Sequence, residues 1–339
     1  MKMQEVAALV AAPLNEELRP EERTESCLVL SDLVVRMVTH VICHVIVDYE
    51  AQLQEERLSV ANAFLQRVTS THLCNHKLTR EGITFEYNGQ AFDLHEEYKT
   101  MTLTRSVYEH LVMFYFLFAH PKSAEERSVV WNYWKINSKK NLLEENVDRR
   151  CGGTEVRGHE NGLKAERDEQ RQAEDDDQQQ AVSDEQRQAE MEIEALREEI
   201  FATETGRICK RRLDEWTRIG KPTQNGCIAF YRENGRLEVR RVSYNQAWKY
   251  LFDKEGMTLL YRHLSMHCHP VYNGLLQYQT QAESDEGYDG MPLYLSCCFL
   301  THLCKLFLRL IPGGNKMLRQ AFSEQERYVF NTLSQLPDE

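Results

Sequence analysis

Proline and glycine are scarce in this chain, 8 and 16 of 339 residues. So few turn formers exclude a turn-rich all-β protein, and the abundance of Leu, Glu, Gln, Ala and Arg points to helices instead. No two of the ten cysteines form a CxxC pair, and most stand in apolar helical stretches, where a free thiol behaves as a small hydrophobe. A disulfide framework is therefore not expected. Long apolar runs are missing too. Leu111 to Ala119 is short, and Cys27 to Val47 is interrupted by Ser31, Asp32, Arg36, His40 and His44, so both read as core helices and not as membrane spans. Glu5, Glu16 and Glu17 make the N-terminus a poor secretory signal, which leaves the cytoplasm as the expected compartment. There is no GxxxxGK[ST] phosphate loop, no GxGxxG following a strand and no GxSxG elbow. NTP hydrolysis, dinucleotide redox chemistry and serine hydrolysis are set aside on that ground, and no cofactor is expected.

What is present is enough apolar material for a core, 42% of the chain, and a charge that is unevenly placed. The net charge is −12, but residues 165–200 carry fourteen acidic and four basic side chains, or −10, leaving −2 for everything else. The acidity belongs to one insert, and the rest of the surface is near neutral.

The pattern along the chain predicts a mainly α multi-helix bundle with two small β-hairpins and an acidic low-complexity insert. The first block, 1–145, opens with helices at Arg23 to Asp48 and Glu50 to Thr71, the second with Leu53, Leu58, Ala61, Phe64, Leu65 and Val68 at helical spacing. Ile83 to Tyr87 and Gln90 to Leu94 flank an Asn-Gly pair, which supplies the positive φ angles of a tight hairpin turn. A strongly apolar helix follows, with Thr102 or Thr104 as its N-cap, and then a helix from Glu125 to Asn137 opened by Ser123 and Glu126. Residues 146–190 hold the acidic, Gln-rich insert, with DEQRQAE at 168–174 and again at 184–190. So little apolar surface predicts disorder or a solvated helix. Residues 191–218 read as one long amphipathic helix. The last block, 219–339, starts with a hairpin over 227–242. Helices follow at Ser243 to Phe252, Met257 to His267, Val271 to Gln281, Leu293 to Leu310, which Pro312-Gly313-Gly314 stops, and Glu324 to Leu333. The two helical blocks are expected to pack as one domain, because each very apolar helix needs cover on several sides.

Arg105-Ser106-Val107-Tyr108-Glu109-His110 is the first candidate site. It resembles the R-x4-6-H motif of HEPN domains, all-helical modules of prokaryotic RNases in toxin and phage-defence systems. The same spacing recurs at Arg67/His72 and Arg262/His267, and a longer one at Arg262/His269. Arg105 and His110 are singled out because they stand in the opening turns of the most apolar helix. The chemistry suits the residues: Arg grips a phosphate with two parallel hydrogen bonds, and a histidine titrating near neutrality exchanges a proton with a ribose 2′-hydroxyl. The resemblance implies a metal-independent endoribonuclease, working as a homodimer, with Arg105, Glu109, His110, Arg262 and His267 at the site. A broader likeness, carried by Arg105 to Glu109, the aromatic helix after it and Tyr261 to Pro270, is to a bacterial helical family of unknown function associated with HEPN-like folds.

Other uses of these residues stay open. Arg105 and Glu109 are four apart on one helical face, as a structural ion pair would be, and His110 projects about 140° from Arg105. His263 and His267 have a metal-binding spacing, but no HExxH carboxylate accompanies them and the nearest second cluster is His72-Leu73-Cys74-Asn75-His76. No metal site is expected. Trp131, Tyr133 and Trp134 beside Lys135, Lys139 and Lys140 mix aromatics with positive charge, as nucleic-acid surfaces and ordinary amphipathic helices both do. Two functions are consistent with all this: a HEPN-like protein acting on RNA, and a non-catalytic helical module that binds a protein partner through 191–218.

Overall fold

A computed structural model describes residues 2–87, 89–94, 97–152, 165–220, 227–251, 264 and 290–335, with backbone alone at 83–87, 91–94, 97–98, 145–152 and 165–183. The fold is predominantly helical with small two-stranded antiparallel sheets. The helices are α1 (Met3–Ala11), α2 (Pro20–Asp48), α3 (Glu56–Glu81), α4 (Glu97–Phe114), α5 (Ala124–Gly152), α6 (Ala165–Ala202), α7 (Glu204–Ile208), α8 (Lys210–Thr217), α9 (Tyr244–Leu251), α10 (Met291–Leu310), α11 (Gly314–Ala321) and α12 (Glu324–Leu333). Strands β1 (Ile83–Tyr87) and β2 (Gln90–Leu94) form one hairpin, and β3 (Cys227–Glu233) and β4 (Arg236–Val242) the other. In the second turn Asn234 and Gly235 both have positive φ, +51° and +75°, as a primed two-residue turn requires.

The chain divides into two compact units, Met1–Ala119 with Ser243–Glu339, and His120–Val242. The expected blocks 1–145 and 219–339 are cut differently: α5 and the second hairpin group with the insert, while the two ends of the chain share the other unit.

In the first unit α10 is the central element, packed against α2, α3 and α4. Leu293, Cys297, Phe299, Leu300, Leu303 and Phe307 are buried on one side, and Thr301 and His302 extend the buried surface beyond it, leaving only a narrow strip near Lys305 and Arg309 toward solvent. The most apolar part of α4 is sealed in the same way at Leu111, Val112 and Phe114, and the helix continues as a π-helical turn, Tyr115–Ala119, before Pro121. Tyr108 stacks on Trp248 of α9 with ring centroids 4.6 Å apart, and its hydroxyl donates to the Tyr244 carbonyl at 2.7 Å. By length and composition alone, α2 and α10 are long and apolar enough to cross a bilayer; 44% and 72% of their apolar windows are covered by the fold itself.

Three local expectations are corrected. Helix α4 begins at Glu97, so Thr104 lies inside it and Arg105 and His110 stand in mid-helix, not in its opening turns; the Thr104 hydroxyl donates to the Pro292 carbonyl at 2.8 Å and accepts from Asn75 at 2.9 Å, which caps nothing. Pro312-Gly313-Gly314 ends α10 but immediately starts α11: Gly313 takes φ +78°, and a Cβ on Gly314 would stand 2.2 Å from the Leu308 carbonyl oxygen. The single helix expected over 191–218 is the end of α6 followed by the short α7 and α8. Helices 257–267 and 271–281 lie outside the described residues.

The second unit pairs α5 with α6. Asn132 donates to Glu199 at 2.8 Å, and Lys139 is paired with Glu192. Helix α5 runs well past Asn137, and it turns Trp131 and Tyr133 inward, 5% and 3% exposed, so its aromatics are packing groups. The break after α6 has a local cause. The Thr203 hydroxyl bonds back to the Ile200 carbonyl at 2.8 Å and accepts from the Gly206 amide at 2.9 Å, capping α7, while Glu125 takes both the amide and the hydroxyl of Thr205. A Cβ on Gly206 would sit 1.8 Å from the Ile200 carbonyl oxygen, so only glycine lets the chain fold back so tightly. Gly206→Ala is expected to destabilise the protein by about 2 kcal/mol or more, read as a lowered urea midpoint; an unchanged midpoint would mean the turn is not constrained as described.

Candidate functional site

Two polar clusters stand out, both in the first unit. The first is on α4. Arg105 Nε donates to Glu109 Oε1 at 2.7 Å, with side chains 18% and 29% exposed, the i,i+4 pairing that the spacing allows. His110, half-buried, donates its Nδ1 proton to the Ser106 carbonyl at 2.7 Å, and its ring meets the edge of Phe64 at 6.1 Å. A carbonyl only accepts, so Nδ1 carries the proton and Nε2 is the basic nitrogen of the neutral ring. Arg105 and His110 are each turned to a neighbour on their own helix. Arg262 and His267 lie outside the described residues; Leu264 between them is buried.

The second cluster is deeper and joins three helices. Ser31 and Asp32 on α2 face His72 and His76 on α3, and Ser296 and Cys297 come from α10. His72 is wholly buried, with Nε2 2.9 Å from Ser31 Oγ and Nδ1 2.7 Å from Ser296 Oγ. His76 places Nδ1 2.8 Å from the same Ser31 Oγ and Nε2 3.4 Å from Asp32 Oδ1, and Arg80 holds Asp32 at 2.6 Å. Cys297 Sγ lies 3.9 Å from His72 Nε2.

The Asp32 carboxylate beside His76 Nε2 favours the proton on that nitrogen; with both rings neutral, His76 Nδ1 then accepts from the Ser31 hydroxyl, Ser31 Oγ from His72 Nε2, and His72 Nδ1 from the Ser296 hydroxyl. The chain closes with both imidazoles neutral and none of the four groups short of a partner. Burial pushes His72 down to about 3, with the neighbouring His76 adding to the effect; burial also lowers His76, while Asp32 raises it and Arg80 lowers it. In the same bundle burial takes His302 of α10 to about 3, helped by Lys305 and Arg309. Among the described residues no group of His, Cys, Asp and Glu is placed to hold a metal ion. The thiols of Cys297, Cys298 and Cys304 are pushed upward by burial, which makes them poor nucleophiles.

Sequence reasoning set the deep cluster aside. The signals that mark it are the i,i+4 spacing of His72 and His76 and the two polar residues, Ser31 and Asp32, that interrupt an apolar helix.

The family model that matches this sequence is the family of unknown function DUF5677, over residues 94–288, more than half of the chain. The chain belongs to this family. The matched span holds Arg105, Glu109, His110, Arg262 and His267, and it leaves out every residue of the His72 cluster. No curated protein and no solved structure matches.

Because His72 and His302 are held far below the ordinary histidine value near 6.5, the unfolded chain takes up protons that the folded one refuses as pH falls. The stability these groups contribute is whole above pH 6.5 and is lost progressively as pH drops toward 3, by about 1.4 kcal/mol per pH unit for each. Urea unfolding at pH 6.5 and 5 should give a smaller loss in His72→Gln than in wild type, by about 2 kcal/mol. An equal loss in both proteins would refute the sealed, neutral His72.

Proposed function

We propose that this protein acts on RNA as a HEPN-like, metal-independent endoribonuclease, with chemistry centred on α4. The observation that carries the reading is the hydrogen bond of His110: its Nδ1 proton is held by the Ser106 carbonyl, which leaves Nε2 as the nitrogen of the neutral ring able to act as a base. In this scheme Nε2 takes the proton of a ribose 2′-hydroxyl, the freed oxygen attacks the adjacent phosphorus, and the bond to the 5′-oxygen breaks. That oxygen leaves with a proton from a second histidine, His267, and the products carry a 2′,3′-cyclic phosphate and a 5′-hydroxyl. Arg105 and Arg262 neutralise the phosphate as charge builds on it, with Glu109 orienting Arg105. All five residues fall inside the family span 94–288. Two copies of the chain are expected to work together, as the HEPN likeness implies.

A second reading, a non-catalytic helical module that binds a protein, has its own support. Arg105 and Glu109 satisfy one another as a structural pair, and Met191 and Ile208 in the 191–218 stretch present apolar side chains to solvent, 61% and 56% exposed.

Cleavage of single-stranded RNA in the presence of EDTA separates the two. The nuclease reading expects cyclic-phosphate products from wild type and a fall of about 10² or more in His110→Ala, His267→Ala and Arg262→Ala at unchanged circular dichroism. No cleavage by wild type, or equal cleavage by all four proteins, would leave the binding module as the account of the fold.

A further inference from the structure

Helices α11 and α12 enclose, with α2, a cleft of about 290 Å³ in the first unit. Met37 and Phe330, 0% and 1% exposed, close it from behind, and the half-buried Leu318 is its partly exposed apolar residue. Its rim is polar: Asn315 and Arg319 from α11, Arg327 and Asn331 from α12. We propose that this cleft binds a small organic anion, an apolar or aromatic body ending in a carboxylate or a phosphate.

The polar rim is what argues for a ligand. Among the described residues the side chains of Asn315, Arg319 and Asn331 make no hydrogen bond. Arg327 uses only Nη1, on the carbonyls of Arg319 (3.1 Å) and Phe322. That double bond to the backbone between α11 and α12 locks the Arg327 guanidinium at the rim, so its place is set before anything binds. The carboxylate that would neutralise it is engaged elsewhere: Glu326 caps α12 through the amide and hydroxyl of Ser323, both at 2.8 Å, and is paired with Arg36. Among the described residues Arg319 and Arg327 have no ion-pair partner; with two carboxamides able to donate and accept and the half-buried Leu318 beside them, they suit an amphipathic anion. Its charge would meet Arg319 and Arg327 while its body covers Leu318. Every residue of the cleft lies outside the family span 94–288 and none is among the residues proposed for RNA chemistry, so the proposal stands whether or not RNA is cleaved.

Isothermal titration of the full chain with benzoate, phenyl phosphate, adenosine monophosphate and inorganic phosphate tests the site, beside Arg319→Gln and Asn331→Leu. Both substituted residues are exposed, so the unliganded melting temperatures should match wild type. At least one of the three organic anions is expected to bind saturably and more tightly than inorganic phosphate. Arg319→Gln should weaken that binding by about tenfold or more. Which anion wins distinguishes a carboxylate from a phosphate ligand. No saturable binding of any organic anion at millimolar concentration overturns the proposal. Equal affinity in wild type and Arg319→Gln, or inorganic phosphate binding as tightly as the organic anions, does so too.

Discussion

His72 has two ring nitrogens and no water to offer them, so the helices around it must supply both partners. Ser31 of α2 and Ser296 of α10 do so, and His76 extends the chain outward to Asp32 and Arg80. This sets the relative register of α2, α3 and α10 far more narrowly than apolar contact does, because a slip of one residue on any helix strands at least one buried polar group, at about 1–3 kcal/mol each. A parallel tie, Asn75 to Thr104 to the Pro292 carbonyl, brings α4 into the same arrangement. The helix that bears Arg105 and His110 is thus held by polar groups that are themselves unavailable for chemistry.

That division of labour shapes the functional reading. His72 is neutral, sealed and bonded at both ring nitrogens, which makes the cluster structural however suggestive a Ser-His-Asp series looks. The residues proposed to carry chemistry, on the half-buried side of α4 and at Arg262 and His267, all lie within the family span, whereas the His72 cluster and the cleft between α11 and α12 fall outside it. The family span nonetheless carries its own share of the apolar core, Val107, Tyr108, Leu111, Trp131, Phe230 and Trp248 among it.

Much of the architecture could be read from residue order. Asn-Gly and Asn234-Gly235 marked both hairpins, and the apolar residues of Leu293 to Leu310 marked the buried helix. What escaped had tertiary causes. The break after Ala202 depends on the clash that a side chain at Gly206 would make with Ile200, which no periodicity records. Helix α11 hides behind Pro312-Gly313-Gly314, read as an end because glycine ends helices more often than it restarts them. At the site, Arg105 with Glu109 was legible from spacing alone. Ser31 and Asp32 looked like interruptions of an apolar helix, and only their meeting with His72 and His76, some forty residues away, gives them a purpose.

The directed hydrogen-bond chain is open to one direct observation, the ring nitrogen shifts of His72 and His76 by long-range proton–nitrogen NMR. The account predicts a neutral His72 ring at pH 5.5 and, at pH 7.5, both rings protonated on Nε2 and bare on Nδ1. A protonated His72 at pH 5.5, or the proton on Nδ1 of either ring at pH 7.5, would contradict it.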